Sequence, residues 1–145
     1  MGLERKELVE RNAASLERIR TFVNRLTDDE LSRPTGNGWT VASELAHLAF
    51  FDRRASVLLD RWARGSVGPS DLDVDAINDA MLPQWVLLPP RAAVEDALAA
   101  AQEINDKIAS LSDELEAAVV AGRVVRLDRA HHRVTHLDDL ERTRS

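Results

Sequence analysis

Near the C-terminus, the stretch Arg129-Ala130-His131-His132-Arg133-Val134-Thr135-His136-Leu137 carries three of the chain's four histidines. If this segment is helical, His132 and His136 stand at i and i+4, one above the other on a single face, a spacing that lets two imidazoles share one cation. The fourth histidine, His47, lies far upstream in Gly38-Trp39-Thr40-Val41-Ala42-Ser43-Glu44-Leu45-Ala46-His47-Leu48. That stretch also reads as helix, so folding can bring three ring nitrogens together. Three neutral imidazoles hold zinc at about 2.0–2.1 Å and leave a coordination position for water or substrate, the form of a catalytic rather than a structural site. Zinc and nickel are hard to separate here, because imidazole suits both. Since only a deprotonated imidazole binds, acidification through the histidine range is expected to release the ion.

Composition limits what else the chain can do. It has 145 residues, 44% of them hydrophobic, which fits one domain (residues 1–145) with a core that needs no covalent staples. There is no cysteine. Disulfides, cysteine-ligated zinc and a protein thiol nucleophile are therefore excluded, and any metal must be held by His, Asp, Glu or water. A net charge of −6, with arginines interleaved among acids, argues against a nucleic-acid partner. No apolar run is long enough to cross a bilayer, and Met1-Gly2-Leu3-Glu4-Arg5-Lys6 leads into a charged amphipathic stretch without a signal core. The expectation is a cytoplasmic protein with no membrane association.

The elements that must position the histidines follow from apolar periodicity. Leu8, Val9, Ala13, Leu16, Ile19, Phe22, Val23 and Leu26 recur at three- and four-residue intervals and predict a helix over 5–26. Thr27-x-x-Glu30 has the form of a capping box and predicts a short helical turn, which Ser32-Arg33-Pro34-Thr35-Gly36-Asn37-Gly38 breaks as loop. Thr40 can cap a second long helix reaching about residue 64, where Gly65-Ser66-Val67-Gly68-Pro69-Ser70 stops it. Residues 71–90 hold Pro83 and the Pro89-Pro90 pair, so a broken connector is expected, with two helical turns over 74–81. Pro90 suits the first position of a third long helix ending near Ser112, residues 113–122 add another turn or two, and a fourth helix is expected from about 124 to 142. Four amphipathic helices without a strand pattern make an all-α four-helix bundle the natural architecture.

At this point the motifs carry a resemblance. Gly38-Trp39-Thr40-Val41-x-x-x-Leu45-x-His47-Leu48-x-x-Phe51-Asp52, followed much later by His132-x-x-x-His136-Leu137, resembles the DinB/YfiT-like family. Asp75-Ala76-x-Asn78 resembles its members related to mycothiol-dependent maleylpyruvate isomerase. The resemblance implies a four-helix bundle over nearly the whole chain, with His47, His132 and His136 as ligands of one divalent metal, zinc or nickel. It also implies a small-molecule thiol, mycothiol or bacillithiol, as cosubstrate with an electrophilic partner substrate, in S-transfer or isomerisation, and pairing of two copies as a homodimer. Such a site favours the thiolate and so replaces the missing cysteine. Arg54, two turns beyond His47 on about the same face, is the candidate catalytic residue, orienting an anionic substrate or the thiol. Trp39 is a candidate for lining the cofactor pocket, or else a hydrophobic staple before its helix. Asp52, Asp128 and Asp139 are unranked candidates for orienting imidazoles.

Each assignment has a plainer rival. At about 100° per residue, Leu127, Ala130, Val134 and Leu137 fall on one side of the last helix, and His132 and His136 on the opposite, largely polar side. Taken alone, such a pair is an ordinary solvated one; His47 and the family pattern argue otherwise, and a polar cleft between splayed helices reconciles the two. His131 reads as a surface residue, Trp62 and Trp85 as core or interface together with Val86-Leu87-Leu88, and Asp75 and Asn78 as residues that cap or pin the connector. Besides the metal-dependent enzyme, a noncatalytic metal- or ligand-binding bundle serving sequestration or stress protection, and a purely self-associating bundle, fit the same sequence.

Overall fold

In a computed structural model of the chain, which describes residues 3–144, the described residues form seven α-helices and one two-stranded hairpin. The order is α1 (Arg5–Asn24), α2 (Asp28–Leu31), β1 (Pro34–Gly36), β2 (Trp39–Thr40), α3 (Val41–Arg64), α4 (Val74–Trp85), α5 (Pro90–Ala109), α6 (Asp113–Gly122) and α7 (Ala130–Arg144). The all-α expectation holds apart from the hairpin. α5 packs along α3 and also against α1, and α7 packs against both α1 and α3. Among the described residues, no helix is long and apolar enough to cross a membrane.

Local chemistry sets most boundaries. Thr27 and Glu30 form the reciprocal capping box of α2, with Glu30 N–H donating to Thr27 Oγ1 at 3.2 Å and Thr27 N–H to Glu30 Oε1 at 3.0 Å. Thr40 and Ser43 do the same for α3, fixing the start of the helix that carries His47. The segment expected as loop before α3 is instead a minimal antiparallel pair. Gly36, Asn37 and Gly38 all have positive φ, at 122°, 54° and 85°, so the reversal uses the two residues that enter this region without steric cost and the one that tolerates it best.

Two expectations about the helices are corrected. The connector is not broken at Pro83: α4 runs unbroken from Val74 to Trp85, capped by Asp73, whose Oδ1 accepts from Ala76 N–H at 3.0 Å. Pro83 falls in the last turn of α4, where the helix ends two residues later. The last helix starts at Ala130 rather than near 124. Residues 124–129 are held out of helix by Asn12 of α1, whose buried amide donates to Leu127 O at 2.9 Å and accepts from Arg129 N–H at 2.9 Å. Asp128 Oδ1 then takes Ala130 N–H at 3.2 Å and serves as the cap of α7.

The apolar interior forms two clusters. One contains Ile19, Phe22, Leu45, Ala49, Ala97, Leu137 and Leu140, the other Leu8, Leu58, Leu59, Trp62, Ile104, Val119, Val125 and Leu127. Polar side chains from four helices meet in one layer: Asn12 and Ser15 on α1, Asp52 on α3, Asn105 on α5 and Arg133 on α7. Arg133 is 1% exposed and is the hub of this layer. Its guanidinium donates to Asp52 Oδ2 at 3.1 and 3.3 Å, Ser15 Oγ at 3.0 Å, Asn12 O at 3.0 Å and Asn105 Oδ1 at 3.0 Å. The other oxygen of Asp52, itself 3% exposed, accepts from Arg129 at 2.9 Å. This arrangement corrects the predicted stripes. Ala13 is exposed while Asn12 and Ser15 are buried, and the inner face of α7 is Ala130, Arg133, Leu137 and Leu140, with Val134 only half-buried.

Candidate metal centre

α3 and α7 deliver the three histidines. His47 is buried, and His132 and His136 are half-buried on the flank of the α7 face that packs inward. Their ring centroids make a triangle with all three sides 4.9 Å, and one nitrogen from each ring lies within 4.8 Å of the other two. His47 Nε2 and His132 Nε2 are 3.0 Å apart. Two nitrogens on one tetrahedral ion at zinc distances are separated by about 3.3 Å, so the cluster has the right scale for a single cation.

The polar partners suit that use. His47 Nδ1 is 3.0 Å from Asn78 Oδ1 on α4, and His136 Nδ1 is 3.2 Å from Glu44 Oε1 on α3. Both partner atoms are oxygens, which suit a ring that carries its proton on Nδ1 and leaves Nε2 free to ligate. His47 is walled by rings, with Phe51 at 4.9 Å, Trp39 at 5.6 Å and Trp85 at 5.7 Å. Burial, reinforced by neighbouring His136, pushes His47 down to about 4, and burial with His136 and His47 pushes His132 down to about 3. Both rings therefore stay neutral, the form that binds a metal, to well below the ordinary histidine range.

These depressed values link acid to stability in the metal-free protein. In the unfolded chain both histidines take a proton as pH falls through about 6.5, whereas in the folded chain they stay neutral to about 4 and 3. The unfolded state then binds more protons, so stability is fully present above pH 6.5 and is lost as pH falls towards 4. Urea titrations of chelator-treated protein at pH 7 and pH 5 should differ by roughly 4 kcal/mol, lower at pH 5. Equal stabilities would show that the two imidazoles are not held neutral.

The histidines open into a cavity of about 450 Å³ also lined by Phe51, Arg54, Leu72, Val74, Arg126 and Arg129. Arg54 sits in this wall, its Nη2 donating to Ser70 O at 2.9 Å and to Ser70 Oγ at 3.1 Å; burial and nearby Arg129 lower its pKa from the usual arginine value. Trp39 packs edge-on against His47 and is not among the lining residues. His131 is exposed at the cavity mouth, as its position predicts.

None of the three aspartates proposed to orient imidazoles does so. Asp52 is taken by Arg129 and Arg133, Asp128 caps α7 and pairs with Arg11 at 2.9 Å, and Asp139 pairs with Arg142 on the surface. Asp52 lies five residues from His47, about 140° round the helix, and so points into the polar layer instead. The orienting groups are Glu44 and Asn78. Glu44 had a legible signal, since i and i+3 share a helix face; Asn78 had only its place in the Asp75-Ala76-x-Asn78 motif. Trp62 and Trp85 are core, and of the suggested apolar surface Val86, Leu87 and Leu88 remain exposed, Leu87 at 82%.

Comparison with known proteins gives one match. The family model for the mycothiol maleylpyruvate isomerase N-terminal domain matches residues 13–141. Neither a curated protein nor a solved structure matches the chain.

Proposed function

Because the chain belongs to the mycothiol maleylpyruvate isomerase N-terminal domain family, we propose that it is a divalent-metal-binding protein that uses a low-molecular-weight thiol of the mycothiol type in S-transfer or isomerisation. The observation that carries this reading is the His47, His132 and His136 triangle opening into an arginine-lined cavity. The same reading takes α1, α3, α5 and α7 as the four members of a four-helix bundle, supported by the closed ring of contacts α1–α5, α5–α3, α3–α7 and α7–α1. A homodimer formed through exposed Val86, Leu87 and Leu88 belongs to it as well.

The three imidazoles would hold the ion, zinc or nickel, through their bare nitrogens, with Glu44 and Asn78 fixing ring orientation. A bound divalent cation supplies the positive charge that favours a thiolate over a thiol at neutral pH. Arg54, Arg126 and Arg129 set a positive field over the same cavity, against the single carboxylate of Asp128. Arg129 is already committed to Asp52, which leaves Arg54 and Arg126 to meet an anionic substrate. Arg54 is anchored on Ser70 through one nitrogen, so its guanidinium is held in place for a carboxylate. Phe51, Leu72 and Val74 give the cavity an apolar wall that excludes water from the thiol.

The test is thiol consumption by metal-loaded protein offered mycothiol and a panel of anionic electrophiles. Turnover should depend on the metal and fall about 10–100-fold in kcat/KM on Arg54→Gln, with most of the loss in KM, because a bidentate charged contact is worth about 1.5–3 kcal/mol. Binding of metal and thiol without turnover across the panel would favour a sequestering bundle.

A further inference from the structure

α4 is the least embedded of the longer helices. Trp85 is its one buried residue, while Val74, Asp75, Ala76, Asp79, Ala80, Pro83 and Gln84 are exposed. Among the described residues, the contact between His47 Nδ1 and Asn78 Oδ1 is the side-chain hydrogen bond that joins α4 to another element. That bond reaches a buried histidine whose opposite nitrogen faces His132. Val74, at the start of the same helix, and Leu72 just before it line the cavity over the three histidines.

We infer that Asn78 is a positioning residue: by accepting the Nδ1 proton of His47 it holds the tautomer with a bare Nε2, and so couples docking of the cavity-wall helix α4 to metal loading. The inference rests on the metal-binding reading above. A neutral imidazole carries one proton, so a hydrogen bond that fixes it on one nitrogen empties the other. Only the emptied nitrogen ligates, and in this cluster it must be Nε2, because Nδ1 faces α4. An amide turned the other way would donate into Nδ1 and drive the proton onto Nε2. The coupling runs in both directions: whatever stabilises the ligating tautomer of His47 also strengthens the bond that ties down α4.

The experiment uses full-length wild-type protein, Asn78→Leu, which keeps the size and removes the acceptor, and Asn78→Asp, which keeps the acceptor. Histidine ¹⁵N NMR of the metal-free proteins at pH 7 should show His47 protonated on Nδ1 in wild type and Asn78→Asp, and on Nε2 in Asn78→Leu. Zinc affinity by chelator competition should fall about 10–100-fold in Asn78→Leu, and in Asn78→Asp stay at or above the wild-type value. Amide exchange in α4 should slow on zinc addition in wild type but not in Asn78→Leu. An Nε2-protonated His47 in wild type, or an unchanged tautomer and affinity in Asn78→Leu, overturns the inference. Failure of wild type to bind zinc while the tautomer shift is seen would instead overturn the metal-binding reading and leave the role of Asn78 in fixing His47 standing.

Discussion

Replacing His132 by alanine is expected to lower affinity for a divalent ion by more than about 100-fold, beyond the 10–100-fold typical of losing a group that merely supports a ligand. His132 and His47 bring their Nε2 atoms to 3.0 Å, so removing either ring opens the side of the triangle that is already closed. His136 completes the set at the same ring separation, 4.9 Å from each, and its alanine variant should lose affinity comparably. His131 provides the control: it is the immediate neighbour of His132 on α7, yet it is exposed and lies outside the cluster, so His131→Ala should bind as wild type does. Elemental analysis of untagged protein, with chelator competition for the constants, reads all of these. Full occupancy in a variant lacking His47, His132 and His136 together would remove the site from this part of the molecule.

The second large effect belongs to stability. Asp52→Ala would leave two guanidinium groups, those of Arg129 and Arg133, facing each other without the carboxylate between them, and the Arg133 side chain is 1% exposed. Breaking a buried pair by deleting one partner costs about 3–5 kcal/mol, because the surviving charge has no water to return to. Domains of this size are stable by only about 5–15 kcal/mol, so the variant should unfold at far lower urea and occupy little of the native state near body temperature. Arg133→Ala should be comparably damaging, since it strips Ser15, Asn105 and Asn12 of a donor as well as Asp52 of a counter-ion. Arg129→Ala should cost less, because its side chain is 11% exposed and Asp52 keeps Arg133. A urea midpoint for Asp52→Ala within error of wild type would show that the network adds nothing to the native state.

The histidine triangle was legible because its signal is one of residue type: four histidines, two of them at i and i+4, and a third on a separate amphipathic helix. The helical class was legible because α1, α3 and α5 each carry apolar stripes over five or more turns. What escaped was governed by polar groups in the interior. Hydropathy scores Arg133 as an outward residue, and that error turned the predicted inner face of α7 towards Val134 and set the histidines on its far side. Asn12 stops the final helix from starting at 124 by bonding backbone groups 115 and 117 residues away, which no local propensity reports. One clue was present locally: Val125 and Leu127 are buried and Arg126 is exposed, the alternation of extended chain rather than helix. Pro83 misled in the opposite direction, since a proline in the last turn sits close to where the helix ends in any case.

The Arg133 hub also has a consequence for biosynthesis. Its partners lie 121, 81 and 28 residues earlier, on α1, α3 and α5, so closing it joins four helices far apart in sequence in one step. A chain leaving the ribosome N-terminus first exposes Asp52 long before either arginine that neutralises it has been made. Until then a packed α1–α3–α5 intermediate would have to bury an unpaired carboxylate, which holds the early helices in a loose, hydrated association. α7, made after the helices it joins, is therefore the one that licenses tight packing, and because it carries two of the three histidines, the same docking event that completes the core also creates the site.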